Sequence, residues 1–228
     1  MSELAMCSSS IPDSRIPGVV VATVSNIDDP DGLGRAKVKF PWMGENYESD
    51  WVNIAMPLAG NNTGFFFIPS VGDVVLVAFD HGDVNRPFIL GSLWNKKAKP
   101  PGTSQDAKNK IFRLRTAEGN EIVFCDESNQ ANRKVEIRTG SGQCIILGSQ
   151  KIEIKDKEGK DSICIDAQAH SVKIESSNKI SIKAPTIEIE ATANMKIRSG
   201  MLNVESNGVF ELKSSGPMCI QGAIVKIN

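Results

Sequence analysis

The stretch Lys151–Gly200 reads KIEIKDKEGKDSICIDAQAHSVKIESSNKISIKAPTIEIEATANMKIRSG, and its short runs of alternating apolar and polar residues decide the fold. In a run such as KIEIK, alternation puts the apolar side chains on one face of a strand of about three to five residues, and the charged ones on the other. The runs recur from residue 135 onward, and their spacing settles to seven or eight residues after Val172. Strands this short cannot bury an apolar face alone, so stacked strands must share one core. The repeat predicts a β-solenoid over residues 134–228.

The number of chains in this solenoid follows from the period. A closed prism needs about three such strands per turn, so one chain folded alone would make only about four turns. No longer period is visible in which every third run differs, which favours three equivalent chains that intertwine as a triple-stranded β-helix. Its twelve or so layers would make a shaft of about 55–60 Å. The predicted needle core consists of Ile152, Ile154, Ile163, Ile165, Val172, Ile174, Ile180, Ile182, Ile187, Ile189 and Ile197.

Residues 16–95 have a different pattern, in which short strands are separated by Gly, Pro and Asp. Ala36, Val38 and Phe40 alternate with basic residues, and runs such as VVVATVSN and DVVLVAF show no helical period. Five or six strands in about 80 residues predict a small antiparallel barrel, so the whole chain is expected to be all-β. Residues 1–15 are expected to be a flexible N-terminus, and the polar, proline-bearing residues 96–133 a linker and neck.

The barrel motifs resemble a known family. They are GLGRAKVKFPW (Gly32–Trp42), SDWVNIAMPLAG (Ser49–Gly60), GFFFIPSVGDVVLVAFDHGD (Gly64–Asp83) and NRPFILGSLWN (Asn85–Asn95), followed by the neck-like KNKIFRLRTAEGNEIVFCDE (Lys108–Glu127). In this order they closely resemble the oligonucleotide/oligosaccharide-binding (OB) barrel of contractile-tail spikes, a family that includes phage baseplate assembly protein V and the spike part of the valine-glycine repeat protein G (VgrG).

The resemblance implies a homotrimeric, membrane-piercing central spike of a phage tail or phage-derived injection system. Such a protein is made in the cytoplasm, assembled into the particle and ejected into or through the target cell envelope. Its OB domain would attach to a hub, expected here to be a separate protein because the barrel begins near Ile16. A PAAR-repeat tip protein would dock at Ile220, Ile224, Val225 and Ile227; alternatively, the last residues fold over and seal the prism. The kind of contractile machine stays open.

Catalytic and metal-binding patterns are not found in the sequence. His81 and His170 stand far apart with no GxSxG motif, and the five cysteines (Cys7, Cys125, Cys144, Cys164, Cys219) include no CxxC pair. Residues 96–133 are too few for the lysozyme domain of some related spikes, and no HxH motif matches their iron-binding tip. We expect no enzyme activity, cofactor or metal. The three tryptophans, Trp42, Trp51 and Trp94, are expected to pack in the core or between subunits.

Composition and pattern bear on the alternatives. The 26 basic and 27 acidic residues give a net charge of −1, and no run approaches 18 apolar residues, so neither a nucleic-acid nor a membrane surface is indicated. One alternative is a nucleic-acid-binding OB protein with an oligomerisation stalk, using Arg35, Lys37, Lys39 and Trp42. Another is a carbohydrate-active β-helix, but the turns are short and no carboxylate cluster accompanies them.

Overall fold

A computed structural model describes residues 15–44, 47–108 and 110–226 of the chain. The chain divides into two units, Met1–Lys179 and Ile180–Asn228. The strands of the first unit are β1 (Val19–Asn26), β2 (Lys37–Lys39), β3 (Asn53–Ile54), β4 (Ala59–Gly60), β5 (Thr63–Gly64), β6 (Val74–Phe79) and β7 (Pro87–Ser92). After the helix α1 (Ser104–Lys108) come β8 (Ile111–Arg115), β9 (Glu121–Cys125), β10 (Lys134–Arg138), β11 (Cys144–Gly148), β12 (Lys151–Lys155), β13 (Ser162–Asp166) and β14 (Ser171–Glu175).

The barrel is built from a five-stranded sheet in the order β2-β1-β6-β7-β3, and a bridge between Ala36 and Val52 closes it. Alternation in β2 is confirmed, because Ala36 and Val38 are fully buried and Phe40 is 2% exposed. The remaining core residues are Ala22, Val24, Val52, Val75, Val77, Phe79 and Ile89. The prediction of an antiparallel barrel needs one correction: β3 pairs with β7 in parallel, because the long segment between them carries the chain back to the same end.

The two ends of the barrel differ in what they carry. The chain leaves β7 at Leu93, whose N–H donates to the carbonyl of Val74, and continues into the linker. Because β6 and β1 run antiparallel to their neighbours, this end also holds the loops 27–36 and 55–73, and we call it the neck end. The opposite end, the far end, holds the turn Asp80–Gly82 and the loop that follows β2.

The linker ends in the short helix α1, which has a capping box at its start. The Thr103 hydroxyl accepts a hydrogen bond from the Asp106 N–H at 3.3 Å, and the Asp106 carboxylate accepts one from the Thr103 N–H at 2.7 Å. Asp106 also forms an ion pair with Arg113 of β8 at 3.2 Å. The linker is therefore fastened to the sheet that follows it.

Strands β8–β14 form a seven-stranded sheet in which each strand pairs antiparallel with its neighbour in sequence. The β-solenoid predicted to begin at residue 134 is not what one chain forms here: residues 134–175 lie in an open meander with no closed turn. Connections of two to six residues from β11 onward explain this, because they return the chain beside the strand it has just left. The recurrence of short, alternating strands agrees with the prediction. The pairing of each strand with its neighbour in the same chain does not, because the predicted β-helix pairs strands of different chains.

The second unit contains no strand among its described residues, 180–226. The chain bends at residues 185, 192–193, 200–201, 207–208, 215–216 and 223, and runs without a bend between these points. This spacing of seven to eight residues matches the period of the apolar pairs. The unit therefore has a regular path but no strand partner within its own chain.

Candidate functional surface: an apolar sheet face

One face of the seven-stranded sheet carries two columns of apolar side chains. Directly opposed residues in an antiparallel sheet share a face, and the register aligns apolar residues in every strand. One column contains Leu114, Ile122, Ile137, Ile145, Ile154, Ile163 and Ile174, and the other Phe112, Phe124, Val135, Leu147, Ile152, Ile165 and Val172. Six strand spacings make this surface, which we call the apolar face, about 29 Å long.

The apolar face is open to solvent in the single chain. Exposure reaches 60% at Phe112 and 68% at Val172, and Ile145 is still 37% exposed. On the opposite face, Val123 and Glu136 are only 8% and 5% exposed. This is the reverse of a stable monomer, in which the apolar side of a sheet is covered and the polar side is wet. A contiguous apolar surface of this kind marks an interaction site.

Ion pairs cover the opposite, polar face near the neck. Glu136 accepts hydrogen bonds from Lys134, at 2.9 Å, and from Arg138. Burial alone would raise the pKa of Glu136, but the hydrogen bonds from Lys134 and Arg138 outweigh it and lower that pKa. Glu121 lies 3.7 Å from Arg115 in the same region. The carboxylate of Glu136 is therefore paired within one chain, although the buried Glu121 Oε2 accepts no hydrogen bond. The apolar side, by contrast, is left uncovered.

Further along the sheet, the ion pairs on the polar face are more exposed to solvent. Lys151 lies 3.2 Å from Asp166 across the strands, and Lys173 lies 2.7 Å from Glu175 along one strand. The hydrogen bond that Lys151 donates to Asp166 raises the pKa of Lys151. Exposed pairs of this kind contribute little to stability but keep one side of the sheet hydrated. The predicted separation of charged and apolar faces is present here.

The predicted needle-core residues divide between the two units. Ile152, Ile154, Ile163, Ile165, Val172 and Ile174 all lie on the apolar face, where each is at least 40% exposed. Ile180, Ile182, Ile187, Ile189 and Ile197 lie in the strandless unit and are 51–71% exposed. One chain does not bury either set, so their role as a core remains a prediction about an assembly.

The apolar face begins earlier than the predicted core did. It includes Phe112, Leu114, Ile122 and Phe124 of the neck, which the sequence prediction left out of the needle. The signal was present, because IFRLR and EIVFC alternate in the same way as the later runs. Of the predicted tip residues, Ile220, Ile224 and Val225 are 64%, 79% and 52% exposed, and Ile227 lies outside the described residues, as does Cys7.

The tryptophans do not form a core within the barrel. Trp94 is 71% exposed and Trp42 is 47% exposed, although the Trp42 ring lies 5.0 Å from that of Phe40. Trp51 lies beneath the ammonium group of Lys37, at 5.3 Å from the ring centre. Core packing is therefore the wrong expectation for Trp42 and Trp94, and packing against another subunit, either a further copy of the chain or a different protein, stays a prediction for both.

Two of the three cations of the nucleic-acid alternative, Arg35 and Lys37, are engaged within the barrel. Arg35 donates to Asp29 through Nε at 3.0 Å and through Nη2 at 2.6 Å, and Lys37 pairs with Glu48 at 3.3 Å. The Arg35 guanidinium holds the pKa of Asp29 far below its usual range, although burial opposes the shift. In the part of the chain that the structure describes, no group of three His, Cys, Asp or Glu side chains could hold a metal, and no helix is long and apolar enough to cross a membrane.

Comparison with known proteins gives matches to the barrel and to part of the chain. Residues 20–94 match the family described as the type VI secretion system/phage-baseplate injector OB domain. This segment therefore matches that domain family, and the chain is similar in sequence to spike proteins of type VI secretion systems.

Three relatives illustrate the similarity. The chain is 33% identical to the actin cross-linking toxin VgrG1 of Vibrio cholerae over 131 residues, which cover 52% of this chain and 12% of the relative. It is 34% identical to the type VI secretion system spike protein VgrG3 of the same species over 128 residues, 50% of this chain and 12% of the relative. With spike protein VgrG2a of Pseudomonas aeruginosa, the identity is 32% over 106 residues, 43% of this chain and 13% of the relative. The chain thus spans a small part of each.

Proposed function

We propose that this chain forms a homotrimeric central spike of a contractile injection machine. In the trimer, three apolar faces pack against one another around a common axis, and the segment 180–226 of each chain pairs with strands of the other two. Residues 180–226 then form an intertwined triple-stranded β-helix, while residues 111–175 of each chain keep their own sheet. The role is mechanical: contraction drives the spike into the target cell envelope.

The strandless second unit is the observation that carries this proposal. Its apolar pairs recur every seven to eight residues, and its bends keep the same period. Yet no backbone-to-backbone hydrogen bond joins residues within the described range 180–226. Backbone groups require partners, and a structureless segment of this length inside a regular pattern argues against a finished single-chain fold. Two further copies of the same chain would supply the missing strands in register.

The mass of the particle in solution tests the trimer. Light scattering should give three times the chain mass of 24.7 kDa. Hydrogen exchange on the same sample should show slow amides in residues 180–226, because they are hydrogen-bonded only in the assembly. A stable monomer would refute the trimer, and a trimer in which these amides exchange freely would refute intertwining while leaving face-to-face packing in place.

The barrel would attach the spike to the hub. In this proposal the hub contact is assigned to the far end of the barrel, because the neck leaves from the other end. Trp42 and the turn Asp80–Gly82 lie there. Replacing the exposed Trp42 by Ala should weaken co-purification with the hub protein from the same gene cluster without changing the mass of the trimer. Full hub binding by this variant would contradict the assignment.

The segment with Ile220, Ile224 and Val225 would dock a PAAR-repeat tip protein. These side chains are exposed in the chain, and in a trimer three copies would form an apolar platform. Deleting residues 223–228 should abolish co-purification with a PAAR protein while leaving the trimer intact. Undiminished binding by the shortened spike would rule out this docking surface.

A further inference from the structure

A second exposed apolar surface lies on the barrel, at its neck end. It consists of Leu33, Leu58, Phe65, Phe66 and Phe67, and we call it the aromatic patch. Phe66 is 80% exposed, and Phe65 and Phe67 are 50% and 53% exposed with ring centres 6.1 Å apart. Neither the barrel core nor the apolar face of the sheet includes these side chains.

The aromatic patch borders a groove of about 600 Å³ between the loop 27–36 and the segment that carries β4 and β5. None of the described residues that line this groove is ionisable. An occupant would therefore meet aromatic and aliphatic side chains together with the polar Asn62, Thr63 and backbone, so the groove suits an uncharged segment that carries apolar side chains. A protein segment that inserts apolar or aromatic side chains would fit this groove.

Both walls of the groove are held in place by the barrel's own contacts. On one side, Asp29 accepts hydrogen bonds from the N–H groups of Leu33, at 3.0 Å, and Arg35, at 3.2 Å, in addition to the Arg35 guanidinium. On the other side, Gly64 has φ +145°, and a Cβ there would collide with the Leu58 carbonyl oxygen. A surface that is rigid before binding loses less entropy when it binds.

The position of the patch indicates which partner fills it. It lies at the neck end, from which the chain continues through Trp94 to Phe112. Those two side chains are 71% and 60% exposed and border a second apolar groove of about 440 Å³ with Pro100 and Ile111. Phe66 and Trp94 are both largely exposed, so neither side chain covers the other within one chain. Two unsatisfied apolar surfaces at the same end of the barrel are suited to contact between neighbouring copies.

We propose that the aromatic patch of one copy receives the neck of a second copy, at Trp94 and Phe112. This inference rests on the proposed trimer and adds to it a contact outside the needle. Phe112 also belongs to the apolar face, so the contact continues that interface upward onto the barrel. Three such contacts around the axis would join each barrel to the neck of the neighbouring copy. The junction between barrels and necks would then be rigid.

Site-specific photo-crosslinking identifies the occupant directly. The photoreactive analogue p-benzoylphenylalanine, introduced at Phe66 of the full chain, should give a covalent dimer whose adducts map to peptides around residues 94–112 of a second copy. The same analogue at Trp42, on the far end, is the matched control and should give no such dimer. A crosslink to a hub protein added to the sample, or no crosslink within an intact trimer, would overturn the inference.

A substitution series gives an independent measure. Phe66→Ser should raise the dissociation constant of the trimer about tenfold or more, since each copy loses a buried aromatic contact. Trp42→Ser should change it by less than about threefold. If the wild type is a trimer and Phe66→Ser leaves its dissociation constant unchanged, the neck contact alone is refuted. A monomeric wild type would refute both the proposed function and this contact.

Discussion

Replacing Ile165 by Ser removes one side chain from the apolar face, between Val172 and Ile152 in the register. Full burial of an isoleucine side chain contributes about 2–3 kcal/mol. Ile165 is 43% exposed in the single chain, so the burial that other copies would add is worth about 1 kcal/mol per chain and about 3 kcal/mol per trimer. Since each 1.4 kcal/mol is tenfold, the equilibrium constant for dissociation into three chains should rise about 100-fold.

Sedimentation equilibrium over a dilution series measures this constant, and far-ultraviolet circular dichroism checks that the sheet persists. Lys173→Ser is the matched control. Lys173 lies on the polar face, where its side chain is 66% exposed, so the constant should change by less than about threefold. Equal dissociation of the two variants would refute the reasoning, because it would mean that the apolar face packs against nothing.

Further substitutions test the needle, the barrel and its charge. Ile180→Asp would gather three carboxylates near the axis and should abolish protease resistance of residues 180–226, whereas Lys179→Asp should leave it unchanged; equal resistance would mean that the two faces are reversed. Gly64→Ala should destabilise the barrel in urea by at least about 1–3 kcal/mol, the cost of the strained backbone alone, and an unchanged midpoint would contradict the close approach of Gly64 to Leu58. Asp29→Asn should lower the melting temperature at pH 7, because the lowered pKa of Asp29 stabilises the folded form above the ordinary value of 3.8. This difference from the wild type should shrink as the pH falls below 3.8, and a constant difference would show that the charge of Asp29 is not responsible.

Strand formation and side-chain faces could be predicted from local pattern. In β2, alternation alone identifies Ala36, Val38 and Phe40 as the inward side, because a strand has a side-chain period of two residues. The same rule assigns Ile163 and Ile165 to one face of β13. Pairing partners could not be predicted in this way, because alternation states which side a residue faces and says nothing about which strand lies beside it.

The sequence by itself determined the spacing of the strands, the separation of their two faces and the residues that need a partner surface. Tertiary structure decided that strands up to Glu175 pair with their neighbours in the same chain, whereas the runs from Ile180 onward do not. It also decided that β3 lies parallel to β7, and that the aromatic side chains around Phe66 share one end of the barrel with the neck. The physical reason is that hydrogen-bond pairing joins residues distant in sequence, and its outcome depends on turn lengths and competing strands rather than on local hydrophobicity.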